Sequence, residues 1–453
     1  MQTCPDCEYV EKQVEGNPNF KVIDIGKHVR NLKEFLKLHD THPASDEAKT
    51  VMEKTPLSPT TAKERHVVLD ALRGLALLGI VLANFPEFAL WTFLSADEQA
   101  AMPTAGVDRI VRFLQYMLVD GKFYTIFSLL FGVGFALILS RHSVSLFVRR
   151  MAILIVIGAC HLMFIWSGDI LLLYAVGGLM LPLFLRLKDR LLLWLAACLI
   201  LIPVGLDVLT EYAGIDFAGP FYNLWWREAS QQGITEENFA TWLRDTDSYG
   251  QMFAFLLQGA CERMWEFVSG HRLPKVVGLF IIGYLIGKHR LYARLDEYHS
   301  WLRRLCRYAL AWGLLVSALY AWSSTEGHPW GLTVHSLLYA VSVIPLAFGY
   351  IALFCLLFMR CPTNRVFSWL AAPGRMALSN YLSQSLIGVL LFYGLGFGLG
   401  CSMGLIYIEL TALTVFAVQI VVSCWWLRWF RFGPLKWIWR MLTYGNYFKI
   451  CTK

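Results

Sequence analysis

Ten stretches of this chain are apolar for about as long as a helix needs to cross a bilayer, and they recur between residues 74 and 427. A hydrocarbon core roughly 30 Å thick is crossed by about 20 residues rising 1.5 Å each, and inside it every backbone polar group must be bonded within its own segment or a closed barrel. The runs at 74–93, 122–140, 150–166, 170–186, 191–210, 274–288, 308–323, 333–359, 376–398 and 404–427 therefore predict an all-α polytopic membrane bundle with about ten transmembrane helices. Residues 251–270, amphipathic with Glu262, Arg263 and Glu266, are a candidate eleventh element, read as a helix lying in the outer interface. Composition agrees. Of 453 residues 57% are hydrophobic and only 16% charged, with a mean hydropathy of +0.50, which excludes an ordinary soluble enzyme.

The net charge of +7 gains meaning from its location. Residues 1–66 carry 10 Lys/Arg against 11 Asp/Glu, so the basic excess belongs to the remainder of the chain. There it falls in alternate connections: Lys63/Arg65, Arg141/Arg149/Arg150, Arg186/Lys188/Arg190, Lys288 to Arg307, Arg360/Arg365/Arg375 and Arg428/Arg431/Arg440. The intervening loops, 94–109, 167–169, 211–250, 324–332 and 399–403, are acidic, neutral or very short. Lys and Arg near span ends stay on the cytoplasmic side, so ten spans predict a multi-pass protein of the bacterial cytoplasmic membrane with both termini in the cytosol. The basic clusters read as topology signal and lipid anchoring, and no nucleic-acid partner is expected. The first long apolar run follows some 65 polar residues, so no cleavable signal peptide is expected. The 11 cysteines form neither a paired framework nor a four-ligand zinc spacing. In the 211–250 loop, Tyr212, Tyr222, Trp225, Trp226 and Trp242 either sit at headgroup depth or form a lid over an outward-facing pocket.

A polar group inside a span costs on the order of 3 kcal/mol and persists chiefly where it is paired or lines a cavity. Four clusters stand out. Asp70 and Arg73 share a helix face; they read as a salt bridge anchoring the helix end or as a site where the forked donors of Arg73 receive a phosphate or carboxylate. Gly74 and Gly79 thin the same helix, and Asn84, roughly 16 Å beyond Arg73, either bonds a neighbouring helix or orients a substrate carbonyl. In the stretch from Gly121 and Lys122 to Phe135, Ser128, Gly132 and Gly134 offer a small-residue packing face, and no strand precedes the Gly-x-Gly as a dinucleotide loop would require. His161 ends one run and Asp169 opens the next, so a hairpin brings them together; the pair is either a satisfied buried histidine or a proton-transfer unit, and no metal is expected for want of further ligands. After Arg375, Ser379 and Ser383 fall one turn apart, as do Asn380 and Gln384, giving a polar stripe that either bonds a second helix or lines a solute path.

The segments Leu69–Pro86, Phe127–Phe135, His161–Tyr174, Gly374–Tyr381 and the terminal Arg431-Phe432-Gly433-Pro434 with Trp437 to Gly445 resemble, in the same order, the YeiB family of bacterial inner-membrane proteins (domain of unknown function 418) over about residues 65–448. That family usually carries an acidic residue shortly after Gly-Pro, where this chain has Lys436. The opening Leu-Asp-x-x-Arg-Gly followed by Asn also resembles transmembrane acyltransferases such as heparan-alpha-glucosaminide N-acetyltransferase. What that resemblance implies is transfer of an acyl group from cytosolic acyl-CoA, as co-substrate, to a small-molecule or glycan acceptor on the far side, with Asp70, Arg73 and Asn84 matching the motif. His161 lies in a later hairpin than the usual histidine, so its catalytic role with Asp169 is an inference from chemistry. Arg73, Lys122, Arg149 and Arg150 are expected to cluster at the cytosolic face and take the phosphates of CoA, with Arg375, Ser379, Asn380, Ser383 and Gln384 as further substrate contacts.

Residues 1–40 are of another kind. Cys4-Pro5-Asp6-Cys7, a strand-like Asn19–Ile25 and a helical Val29–His39 resemble an incomplete glutaredoxin-like, thioredoxin-fold fragment with Cys4 and Cys7 as its redox pair, followed by a linker over 41–64. Two other functional classes stand beside the acyltransferase: a transporter of a small solute, against which stands the lack of an internal repeat or matched broken helices, and a structural or signalling partner. A homo-oligomer is left open.

Overall fold

The structure, a computed structural model, describes residues 62–451, so the expectations for Cys4, Cys7 and the glutaredoxin-like fragment lie outside the described residues. The framework is helical: α1 (Ala62–Phe88), α2 (Ala96–Ala100), α3 (Ala105–Leu118), α4 (Lys122–Leu139), α5 (Val144–Phe164), α6 (Leu171–Met180), α7 (Asp189–Ala213), α8 (Gly219–Gln231), α9 (Phe239–Asp245), α10 (Tyr249–Ser269), α11 (Arg272–Lys288), α12 (His299–Thr325), α13 (Gly331–Arg360), α14 (Arg365–Arg375), α15 (Ala377–Phe392), α16 (Leu405–Trp429) and α17 (Pro434–Tyr444). Among the described residues the one pairing of extended backbone is a single antiparallel bridge between Phe430 and Cys451.

Seven helical segments are long and apolar enough to cross a membrane: Val67–Phe88, Ala105–Leu139, Val144–Phe164, Asp189–Ala213, His299–Thr325, Gly331–Arg360 and Leu405–Trp429. The chain is thus an all-α polytopic bundle, with the span list revised. Two of the other three expected spans end as α-helix before the apolar run does, because an apolar run does not distinguish helix from apolar coil, and the third keeps its expected extent. Pro182 tightens the end of the 170–186 run into a 3-10 turn at Leu181–Phe184. The 376–398 run stays helical only to Phe392, after which the chain folds back and Gly400 N–H donates to Phe392 O at 2.8 Å. The third, α11, has 17 residues.

A second revision concerns residues 94–109, expected as a loop. The amphipathic helix α3, with Asp108, Arg109 and Arg112, begins within them and leads into the apolar α4 across a break at 119–121. Gly121 takes φ 73°, which ends one helix and starts the next, and a Cβ there would lie 2.7 Å from Tyr339 Oη. Asp108 is buried at the start of α3, where it accepts from Thr104 Oγ1 at 2.7 Å and from Ile406 N–H at 2.9 Å.

Close crossings hold the bundle together. A Cβ on Gly74 would stand 1.8 Å from Leu370 O and one on Gly374 1.8 Å from Asp70 O, so α1 and α14 touch backbone to backbone. Gly132 of α4 and Gly283 of α11 do the same for their pair, with added Cβ atoms 2.1 Å from Phe280 O and Leu129 O. Outside, the spans present large apolar side chains such as Val156, Trp194, Leu315 and Val421, as a surface facing hydrocarbon does. The aromatic 211–250 segment folds as α8 and α9 against α10. Trp225 stacks on Trp226 with ring centroids 5.1 Å apart and donates Nε1–H to Gln258 Oε1.

Candidate functional site

The ends of α1, α4, α7, α11 and α13 that meet on one side of the bundle enclose a cavity of about 510 Å³. Its wall also takes in the α3–α4 break, the Trp166–Ile170 hairpin and Tyr381 of α15. None of residues 211–250 contributes to it, so the aromatic segment packs as a cap on α10 rather than as a lid. The lining is heavily charged. Arg263 reaches Glu87 Oε1 at 3.3 Å, donates to Glu266, and gives Nε–H to Ser167 O at 2.8 Å, which ties α10 to α1 and to the hairpin. Asp207 meets His271 Nε2 at 3.1 Å and accepts from Ser336, and Tyr320 Oη donates to Asp120 at 2.5 Å. Asn84 lies in the same wall.

The hairpin does what the sequence predicts of it. Asp169 Oδ1 stands 2.8 Å from His161 Nδ1, and its Oδ2 accepts Leu172 N–H at 2.7 Å, so one carboxylate both orients the imidazole and caps the first turn of α6. Sequence reasoning missed the third member: His161 Nε2 lies 2.9 Å from Ser385 Oγ. All three side chains are almost fully buried. Asp169 lines the cavity while His161 sits just behind it, its ring centroid 5.4 Å from that of Tyr381. The carboxylate on Nδ1 and the Ser385 hydroxyl on Nε2 place the imidazole between two polar groups, an order suited to moving a proton. No local signal points to Ser385, 224 residues away in sequence.

At the other end of α1, Arg73 and Asp70 form an ion pair at 2.6 Å. Arg150 stacks 3.7 Å from the ring centre of Trp439 on α17, and Lys436 Nζ donates to Arg375 O at 2.9 Å. Lys436 lies within electrostatic reach of Asp70, Arg73, Arg150 and Arg440, and Arg149 approaches Gly445, so the expected basic cluster forms and gains two cations from α17. Lys122 is not part of it. It begins α4 a whole helix length from Arg141, is buried, and donates to Tyr116 O at 2.6 Å while facing the ring of Tyr320. The error arose from counting charge without helix direction: α4 runs towards the basic end and carries Lys122 at its opposite end.

The polar stripe on α15 is likewise closed. Asn380 Nδ2 donates to Ser423 Oγ at 3.0 Å and to Pro373 O at 3.2 Å; Gln384 Nε2 donates to Gln419 Oε1 at 2.8 Å, and Gln419 Nε2 to Ser383 Oγ at 2.8 Å. Ser379 Oγ accepts Leu435 N–H at 3.2 Å. These side chains join α15 to α16 and α17, and none of the four is in the cavity wall. Among the described residues no three His, Cys, Asp or Glu side chains converge as metal ligands would.

Residues 286–446 match the family described as "Protein of unknown function (DUF418)". Along most of its length the chain is similar to the uncharacterized protein YxaH of Bacillus subtilis (strain 168), 29% identical over 88% of this chain and 98% of that protein. It is also similar to an uncharacterized 39.9 kDa protein in the amylase 3' region of Bacillus acidopullulyticus, 29% identical over 88% of this chain and 99% of the relative. A third relative is the uncharacterized protein YeiB of Escherichia coli (strain K12), 28% identical over 84% and 96% of the two chains. No solved structure matches the chain. The resemblance drawn from the five motifs is therefore upheld.

Proposed function

We propose, taking the chain as a member of the family that its C-terminal third matches, described only as a protein of unknown function (DUF418), that it is a bacterial cytoplasmic-membrane acyltransferase. Acyl-CoA is held by its phosphates at the basic face and a small-molecule or glycan acceptor at the cavity on the far side. The observation that carries this reading is the Asp169–His161–Ser385 chain, with links of 2.8 and 2.9 Å, at the wall of a cavity of about 510 Å³. The acceptor's hydroxyl or amine loses its proton to the Asp169–His161 pair as it attacks the thioester carbonyl, the carbon–sulfur bond breaks, and the proton is returned to the departing thiolate. Asn84 supports this role as a donor to the carbonyl oxygen from the same wall. Arg73 and Asn84 stand roughly 16 Å apart along α1, a span the pantetheine arm of CoA can bridge.

One observation favours transport of a small solute as a second reading. The break between α3 and α4 at 119–121 faces the cavity, and interrupted helices line solute sites in transporters. Protein in lipid nanodiscs incubated with radiolabelled acetyl-CoA separates the two. Saturable binding lost in Arg73→Ala, with label release lost in His161→Ala, is the expected result. No binding of acetyl or longer acyl donors by folded protein overturns it in favour of transport.

A further inference from the structure

Most charges in the cavity wall are matched within the protein, and the exceptions gather at the start of α11. Arg263 is taken by Glu87 and Glu266, Asp207 by His271 and Ser336, and Asp120 by the Tyr320 hydroxyl. Lys275 has no carboxylate within ion-pair distance, and Asp120 and Asp207 attract it only from farther off. Among the described residues its Nζ has a ring as its only close partner, with the centre of Tyr339 at 4.6 Å. Arg272 has one carboxylate oxygen, Glu266 Oε1, at the long distance of 3.8 Å. The Tyr124 hydroxyl, in the same wall, is buried without a hydrogen-bond partner.

The backbone adds to the same field. His271 takes φ 45°, turning the chain sharply into α11, and no side chain caps the helix that follows. Gly270, His271, Arg272 and Lys275 all line the cavity, so the positive end of a 17-residue helix lies in its wall, with Pro274 leaving one fewer N–H in the first turn. Two cations, an unpartnered hydroxyl and a helix N-terminus gather at one end of a cavity whose other walls carry Glu87, Asp120, Asp169 and Asp207, so an anionic group is favoured at that end.

We infer that the cavity binds a small organic anion whose carboxylate or phosphate lies between Arg272, Lys275 and the first turn of α11. The inference deepens the acyl-transfer reading, since it rests on the cavity being the acceptor site and gives that acceptor a negative charge. Its uncharged part extends across the cavity towards Asn84 and Asp169.

The test is binding to the full chain in phosphatidylcholine nanodiscs, measured by titration calorimetry with three probes of one carbon skeleton: glycerol 3-phosphate, glycerate and glycerol. The expected result is saturable binding of one or both anions and none of glycerol, weakened about tenfold in Lys275→Gln and largely restored in Lys275→Arg. Discs containing phosphatidylglycerol identify the source of the anion: competition assigns the site to a lipid headgroup, and undiminished binding to a soluble anion. Equal binding of glycerol, no binding of either anion, or an affinity unchanged in a folded Lys275→Gln protein overturns the inference. Anion binding without release of label from acetyl-CoA leaves this site standing and removes the acyl-transfer reading. Label transfer to glycerol with no anion bound does the reverse.

Discussion

His161 and Lys436 show how differently two polar residues of this chain are held. His161 has both ring nitrogens engaged, by Asp169 and Ser385, and is almost fully buried. Its neighbour 8 residues on was legible from the hairpin, whereas Ser385 was not, because no periodicity links a residue to one more than two hundred positions away. Lys436, on α17 outside the spans, is pushed from the ordinary 10.5 down to about 8 by burial first, then by repulsion from Arg73, Arg150 and Arg440, with Asp70 opposing. The folded state thus disfavours its charged form, so this residue adds stability as pH rises through the interval between about 8 and 10.5. The same loss of charge weakens the basic face for anions. Retention of acetyl-CoA is expected to fall between about pH 7 and about pH 9 in wild type and to change little in Lys436→Met, measured by filter binding.

Helix elements explain the two glycines that sequence reading treated alike. Gly132 faces α11 so closely that a Cβ would stand 2.1 Å from Phe280 O, while around Gly134 nothing lies within 4 Å. Gly132→Ala is therefore expected to lower the thermal midpoint in nanodiscs, at a cost of about 1–3 kcal/mol, and Gly134→Ala to leave it unchanged or raise it slightly. Equal effects would show that the α4–α11 crossing is not set by backbone contact. The α15 stripe carries a similar lesson. Hydroxyls and amides one turn apart announce a partner, but only the position of Gln419 and Ser423 on α16 decides that the partner is a helix and not a ligand.

For the whole molecule, the alternation of basic and non-basic connections predicts an orientation that labelling can check. In a background with its exposed cysteines replaced by serine, a cysteine at Gly327 is expected to react with an impermeant maleimide from outside intact spheroplasts. One at His142 is expected to react only after lysis; the opposite pattern inverts the topology and with it the two faces of the proposed reaction. The sequence by itself determined that this chain is a helical membrane protein, where most of its spans lie and that His161 and Asp169 meet. Those features follow from hydrophobic length and from contacts closed within one hairpin. Tertiary structure alone decided that Lys122 leaves the basic cluster, that the α15 stripe is a helix seam, and that segments from α1 to α15 enclose one charged cavity. Each of those depends on helix direction and on residues far apart in the chain, and apolar periodicity, which repeats identically from span to span, encodes neither.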